Sequence, residues 1–155
     1  MARLVIDVDE LMMALEGRGQ GIRDYLDLQT GEVLWVASSD YTGVEDETQK
    51  EIEKDLDRYR PIDPLPSHVG WEVMSDFVES LRPGKIQDDL ERAINGRKPF
   101  RRFKDVLFDY PDTRDAWFAF EKKAFVQLAE DWLKEQGIEA DLKPLSGADA
   151  PRGNL

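Results

Sequence analysis

A cluster of basic side chains in the segment GRKPFRRFKD, residues 96–105, has the composition of an anion-binding site. An arginine guanidinium offers a planar fork of donors that matches a carboxylate or a phosphate, and lysine adds a compact positive charge. The chain has 21 Lys and Arg residues, and five of them fall within eight positions of this segment: Arg97, Lys98, Arg101, Arg102 and Lys104. We predict that these five residues bind a partner or an anion.

The cluster has a second interpretation, in which acidic residues of the same chain neutralise it. Charged side chains at a protein surface are usually solvated or paired with one another. Asp88, Asp89 and Glu91 lie shortly before the cluster in the sequence. The sequence leaves both interpretations open.

The overall charge favours a protein partner over nucleic acid. The chain has 33 Asp and Glu residues and a formal net charge of −12. Such a field repels polyanions at long range and attracts basic partners. Two nucleic-acid hypotheses stay as the alternative: residues 97–104 bind phosphate, or the acidic surface mimics DNA.

The side chains that carry most enzyme chemistry are scarce in this sequence. There is no cysteine, and His68 is the single histidine, which excludes thiolate nucleophiles, disulfides and sites built from several histidines. No acidic stretch has the alternating ligand order of a calcium loop. The sequence therefore predicts no catalytic residue, no metal site and no cofactor, and it favours a non-enzymatic protein. A hydrolase that uses two carboxylates is the second alternative.

Aromatic side chains accompany the basic cluster. In the segment WFAFEKKAF, residues 117–125, helical spacing places Trp117 and Phe120 on one face, which is typical of a core. The chain has more aromatic residues than one small core readily buries, so Trp117 is also a candidate for a partner surface or a homodimer face. A helix that begins at Pro99 has an analogous apolar face, formed by Phe100, Phe103, Leu107 and Phe108.

The order of the elements predicts an α+β fold with a small N-terminal antiparallel sheet. Residues 25–28 and 33–37 are rich in β-forming side chains, and the intervening turn QTGE predicts a hairpin over residues 25–37. Residues 45–59 have helical spacing, and three prolines in RPIDPLPS predict an extended connector after them. Helical segments dominate the remainder of the chain.

The length of 155 residues predicts one domain. We expect it to cover residues 1–143, with a front part over residues 1–60 and a helical part over residues 67–137. A polar stretch over residues 144–155 predicts a disordered tail. No apolar run approaches the roughly 18 residues that a transmembrane helix requires, and the first residues lack the apolar core of a signal peptide. The sequence therefore predicts a cytoplasmic protein with no membrane partner.

Several segments together resemble a widespread bacterial family that is described as an uncharacterised protein family. The segments are YLDLQTGEV, YRPIDPLPS, GWEVMSDFVESL, AINGRKPFRRFKDVL and AWFAFEKKAF. The resemblance covers about residues 20–140 and is most specific at GRKPFRRFKD and WFAFEKKAF. It implies a bacterial-type cytoplasmic protein with a shared α+β fold, and it implies no catalytic residue, cofactor or substrate.

The sequence as a whole favours an acidic interaction or regulatory protein. We expect it to bind a protein partner through the aromatic and arginine side chains of residues 96–120, or to bind a basic partner with its acidic face.

Overall fold

The computed structural model describes residues 3–37 and 47–144 of the chain. The chain divides into two compact units, Met1–Pro64 with Leu128–Leu155 (unit 1) and Leu65–Gln127 (unit 2). The predicted α+β class is confirmed, because the described residues form five strands and six helices. A single domain over residues 1–143 stays a prediction, and residues 145–155 of the predicted tail lie outside the described residues.

Unit 1 contains the five strands. In chain order its elements are β1 (Leu4–Asp7), α1 (Val8–Glu16), β2 (Ile22–Asp27), β3 (Val33–Ala37), α2 (Glu47–Lys54), β4 (Tyr59–Ile62) and β5 (Ala140–Lys143). The predicted hairpin is confirmed, because β2 and β3 pair in antiparallel fashion with Leu26 opposite Val33. β4 pairs with the other edge of β2, while β1 and β5 form a separate parallel pair.

Helix α1 begins and ends at residues that suit those positions. Asp7 caps its start, because its carboxylate accepts a hydrogen bond from the backbone N–H of Asp9 at 3.0 Å. Gly17 ends it with a φ of +98°, a conformation that side-chain-bearing residues rarely adopt. The helix buries Leu11, Leu15 and two further apolar side chains, those of Val8 and Ala14.

The second half of the predicted helix over residues 45–59 is wrong. Helix α2 ends at Lys54, and Tyr59–Ile62 forms strand β4 where an unpaired connector was expected. The reason is packing. As part of β4, Tyr59 is buried in a cluster with Tyr25, Val36 and Ile52. Pro61 is compatible with β4 because this strand lies at the edge of the sheet.

Unit 2 is helical. It consists of α3 (Ser67–Ser80), α4 (Lys85–Ile94), α5 (Pro99–Phe108) and the first part of α6 (Pro111–Glu135), whose last residues belong to unit 1. Helix α4 packs against both α3 and α5. No helix within the described ranges is both long and apolar enough to cross a membrane.

Candidate functional site

Helix α5 carries the basic cluster and presents three different faces. Successive residues of a helix are rotated by about 100°, so Phe103 and Leu107 point together into unit 2, where they are 1% and 2% exposed. Arg102, Val106 and Asp109 follow one another on a second face, toward α4. The third face points to solvent and carries Arg101, Lys104, Asp105 and Phe108.

The predicted apolar face of α5 is therefore narrower than expected. Phe103 and Leu107 are buried, but Phe100 is 41% exposed and Phe108 is 73% exposed. Phe108 is rotated by about 100° from Leu107, which carries it out of the buried stripe. The outward face of α5 consequently combines a large exposed aromatic ring with basic side chains.

All five residues of the basic cluster are exposed. Within residues 3–37 and 47–144, no Asp or Glu oxygen lies within 4.0 Å, the limit for an ion pair, of a side-chain nitrogen of these five residues. Among the acidic residues that precede the cluster in the sequence, Asp89 pairs instead with Lys85 and Arg92. In the described part of the chain, the cluster thus keeps its positive charge.

The chain enters α5 through a turn that brings the cluster together. Asn95 ends α4, and its side-chain amide donates to the Glu91 carbonyl at 2.9 Å. Lys98 adopts a left-handed conformation, with a φ of +48°, immediately before Pro99 starts α5. This turn sets Arg97 and Lys98 beside the first turn of α5, where the helix dipole adds positive potential.

Four of the five basic residues line one open cleft. The cleft has a volume of about 500 Å³, and its lining comprises Arg97, Lys98, Arg101, Arg102, Asp105, Val106 and Asp109. A second cleft of about 250 Å³ lies between α4 and α5 and shares Arg102, Val106 and Asp109 with the first. Arg102 therefore lies at the junction of the two clefts.

Asp89 organises the second cleft. Its carboxylate accepts hydrogen bonds from Lys85 Nζ at 3.0 Å, from Arg92 at 3.3 Å and from the Tyr110 hydroxyl at 2.8 Å. The hydrogen bond from Lys85, followed by the one from Tyr110, lowers the pKa of the Asp89 carboxyl. The same contact with Asp89 raises the pKa of the Tyr110 hydroxyl. Asp89 is therefore an ionised acceptor that neutralises cations on the α4 side.

Trp117 is buried in unit 2 and is not part of the exposed basic cluster. It is 5% exposed and belongs to a group of four rings in unit 2, which consists of Phe77, Phe103, Trp117 and Phe120. Its ring centroid is 4.8 Å from that of Phe103, in an edge-to-face arrangement. Because Phe103 is one of the two buried residues of α5, Trp117 supports the helix that carries the cluster. Trp117 is not among the residues that line the cleft.

Sequence reasoning named Arg102 and Asp89 but missed Lys85, Arg92 and Tyr110 of the second cleft. Lys85, Asp89 and Arg92 have the i, i+4 and i+3 spacing of helical ion pairs, a local signal that was available. Tyr110 joins Asp89 from 21 residues away, and no local pattern predicts that contact. No group of three or more potential metal-ligating side chains occurs in the stretches of chain described.

The net charge of the protein is unevenly distributed between the units. Residues 65–127 contain 11 Lys and Arg against 11 Asp and Glu, which leaves 10 against 22 in the rest of the sequence. Unit 2 is therefore neutral, and unit 1 carries the whole net charge of −12. The basic cluster belongs to the unit whose own net charge does not oppose the binding of an anion.

These observations define an α+β protein whose helical unit exposes a basic cleft and whose strand-containing unit is strongly acidic. A family model described as "Uncharacterised protein family (UPF0158)" matches residues 1–146. The chain belongs to UPF0158, and the resemblance to an uncharacterised bacterial family is thereby confirmed. A UPF0158 protein of Pseudomonas aeruginosa is 32% identical over 139 residues, which are 90% of this chain and 88% of that protein. No solved structure matches the chain.

Proposed function

We propose that this chain is a non-enzymatic, cytoplasmic interaction protein that binds an acidic segment of a protein partner. The binding surface is the outward face of α5 together with the adjoining basic cleft. One observation carries the proposal: Arg97, Lys98, Arg101 and Arg102 line one cleft, and no carboxylate of the described residues pairs with any of them.

Four cations of like charge in one cleft repel one another, and an anionic ligand relieves this repulsion. The chain contains 33 Asp and Glu residues, yet no carboxylate of the described residues lies within ion-pair distance of these four side chains. Arginine forks bind carboxylates through two parallel hydrogen bonds, which gives both affinity and orientation. An acidic peptide segment supplies such carboxylates at a spacing that fits an open cleft.

The outward face of α5 supports a protein partner over nucleic acid. Phe108, 73% exposed, shares that face with Arg101 and Lys104. Exposed aromatic and arginine side chains in one patch are typical of protein interfaces. Asp105 and Asp109 also line the cleft. An acidic peptide segment that includes a few basic residues can pair with side chains of both signs there, whereas a phosphate backbone offers negative charge alone.

Two of the described carboxylates, Asp27 and Asp89, are held in ionised form by neighbouring cations. The pKa of the Asp27 and Asp89 carboxyls is lowered, in each case chiefly by a hydrogen bond from a neighbouring cation. A carboxyl that acts as general acid near neutral pH needs a raised pKa. These two groups therefore favour ion pairing over hydrolysis.

Binding of defined probes tests the proposal directly. We expect an acetylated deca-glutamate peptide to bind the wild-type protein, and we expect an oligothymidylate of the same charge to bind less tightly. The double substitution Arg101→Glu and Arg102→Glu should raise the Kd of the peptide at least tenfold, because it places like charge in the cleft. Affinity purification with and without nuclease then identifies the natural partner.

The matched control is the pair Lys122→Glu and Lys123→Glu. Both lysines are exposed on α6 within unit 2, and the double substitution changes the net charge by the same amount. It should leave peptide binding unchanged. If the control weakens binding equally, the effect is diffuse charge and the site is wrong. If the oligothymidylate binds more tightly, or if all captured material is lost with nuclease, the partner is nucleic acid.

A further inference from the structure

A separate cleft lies in unit 1, remote in sequence from the basic cluster. It has a volume of about 390 Å³ and is lined by Met13, Glu16, Gly17, Arg18, Ile22 and Trp35. Trp35 is 51% exposed and Met13 is 43% exposed. A tryptophan and a methionine exposed side by side form the kind of apolar surface that proteins use for recognition.

Trp35 is held in place by its neighbours. It lies on β3 directly opposite Asp24 of β2, and Asp24 is only 5% exposed. Arg18 donates to the carboxylates of both Asp24 and Glu10, and its guanidinium carbon lies 5.8 Å from the centre of the Trp35 ring. The clamped guanidinium orders the indole before any ligand arrives, which lowers the entropic cost of binding.

The electrostatics of this cleft favour a cation. Met13, Glu16 and Gly17 lie at the C-terminal end of α1, where the helix dipole is negative, and the last turn of α1 contains no basic residue. The charge of Arg18 is already neutralised by Asp24 and Glu10. The surrounding unit carries the whole net charge of −12, as counted above.

We propose that this cleft binds an arginine or lysine side chain from a basic segment of a protein partner. The alkyl stem lies on Trp35 and Met13, and the charged group points to the carbonyl end of α1. Long basic side chains suit this combination because they pair an apolar stem with a charged tip. The exposed indole surface adds a cation–π attraction for that tip.

This site lies in a different unit from the basic cleft, and it binds a ligand of the opposite charge. The cleft of α5 binds acidic groups, whereas the Trp35 cleft binds basic ones, so a failure of one proposal leaves the other standing. The two probes differ accordingly: hexa-arginine amide for the Trp35 cleft and deca-glutamate for the basic cleft.

The indole N–H resonances of the four tryptophans provide a site-specific test. The tryptophans other than Trp35 are buried or half-buried: Trp71, Trp117 and Trp132. On titration with hexa-arginine amide at low salt, the Trp35 resonance should move and saturate, and the other three should stay in place. Trp35→Thr assigns the resonance by removing it, and threonine keeps a residue type that favours strands.

Two surface variants separate a specific contact from diffuse attraction. Met13→Gln keeps a good helix former and should raise the Kd of hexa-arginine about tenfold, the size expected for loss of one apolar contact. Leu56→Gln changes a residue of unit 1 that is 67% exposed and does not line the cleft, and it should leave the Kd unchanged. Circular dichroism verifies that both variants fold.

Three results would overturn the proposal. The first is a Trp35 resonance that stays in place while hexa-arginine binds. The second is an equal Kd for Met13→Gln and Leu56→Gln, which would show that only the diffuse charge of unit 1 attracts the peptide. The third is a dimer of the free protein that dissociates in Trp35→Thr, because a second copy of the chain would then be the occupant.

Discussion

The hydroxyl of Tyr110 donates a hydrogen bond to Asp89 across 21 positions of sequence, with an oxygen–oxygen distance of 2.8 Å. The contact ties the turn between α5 and α6 to the middle of α4. Asp89 also binds Lys85 and Arg92, so it neutralises the cations on the α4 side of the second cleft. Positive charge is thereby concentrated on Arg102 and on the first cleft beyond it.

The Asp89 carboxylate controls the ionisation of Tyr110. The hydrogen bond that Asp89 accepts raises the pKa of the Tyr110 hydroxyl, and the negative charge of Asp89 raises it further, because ionisation would bring two anions together. Asp89→Asn removes that charge and leaves Lys85 and Arg92 nearby. We expect the Tyr110 pKa to fall in this variant, which ultraviolet absorbance of the phenolate measures in an alkaline titration.

Tyr110→Phe identifies the relevant titration step among the four tyrosines of the chain. The step that Asp89→Asn displaces should be absent when Tyr110→Phe is added. Alkaline titration curves that coincide for the wild type and Asp89→Asn would show that the hydrogen bond does not persist in solution.

The ion pair between Asp27 and Arg58 should make the stability of unit 1 depend on acidic pH. Both Asp27 oxygens accept hydrogen bonds from the Arg58 guanidinium, at 2.9 and 2.8 Å, and Asp27 is 2% exposed. The bonds from Arg58 lower the pKa of Asp27 from 3.8 to about 2. A difference of that size corresponds to about 2 kcal/mol of free energy of unfolding.

The direction in which stability changes with pH follows from proton binding at Asp27. Between pH 3.8 and about 2 the unfolded chain binds a proton at Asp27 more readily than the folded chain does, so stability falls as the pH falls. The stabilisation is complete above pH 3.8. Asp27→Asn should lower the free energy of unfolding at neutral pH by about 2 kcal/mol and lose less stability than the wild type on acidification.

Asp141→Asn is the control for this experiment. Asp141 also pairs with an arginine of unit 1, Arg3, but the two side chains are about half exposed. Exposed ion pairs contribute little, so we expect a change below about 1 kcal/mol. Urea denaturation at several pH values measures both variants. Parallel stability profiles for Asp27→Asn and the wild type would contradict the prediction.

Gly31 occupies a position that no other residue fits. Its φ is +83°, and a Cβ built there would overlap the carbonyl oxygen of Val5 in β1. We expect Gly31→Ala to lower the free energy of unfolding by about 3 kcal/mol, since backbone strain and overpacking add. Thermal denaturation followed by circular dichroism measures the change.

Gly19→Ala separates the contribution of backbone strain from that of overpacking. Gly19 also has a positive φ, +135°, but a Cβ there has no heavy atom within 4 Å. Gly19→Ala should therefore lower the free energy of unfolding through backbone strain alone, by about 1 kcal/mol. Equal losses for the two glycines would mean that β1 moves away from Gly31 without cost.

Local signals in the sequence predicted those parts of the fold that nearest neighbours determine. Pro99 marked the start of α5, and the turn QTGE marked the hairpin of β2 and β3, because caps and turns act within a few residues. The parallel pairing of β1 with β5 was not predicted. It sets Leu4 opposite Ala140, and such a distant pair depends on tertiary packing, which leaves no local pattern.

The difference between local sequence signals and tertiary packing also applies to the candidate site. Composition alone located the basic cluster, and the structure shows that all five of its members are exposed. Composition also included Trp117, because an aromatic stripe has the same spacing whether it faces a core or a partner. Burial separates the two cases: Trp117 is 5% exposed, whereas Phe108 is 73% exposed.

Trp117 and Phe108 should accordingly respond to substitution in opposite ways. Trp117→Ala removes a ring that contacts Phe77 and Phe103, and we expect it to lower the free energy of unfolding by about 3 to 5 kcal/mol. Phe108→Ser should leave the unfolding midpoint nearly unchanged, because a largely exposed side chain contributes little to folding. It should instead weaken binding of a partner that covers the outward face of α5.

Denaturation and binding measured on the same preparations distinguish these effects. Phe108→Ser should raise the Kd of the purified partner by about tenfold, the size expected for loss of an interface aromatic residue. Trp117→Ala, measured at a temperature where it is still folded, should leave the Kd within about threefold, which is well under 1 kcal/mol. The assignment of these two residues would be wrong if Trp117→Ala abolished binding in a fully stable protein while Phe108→Ser had no effect.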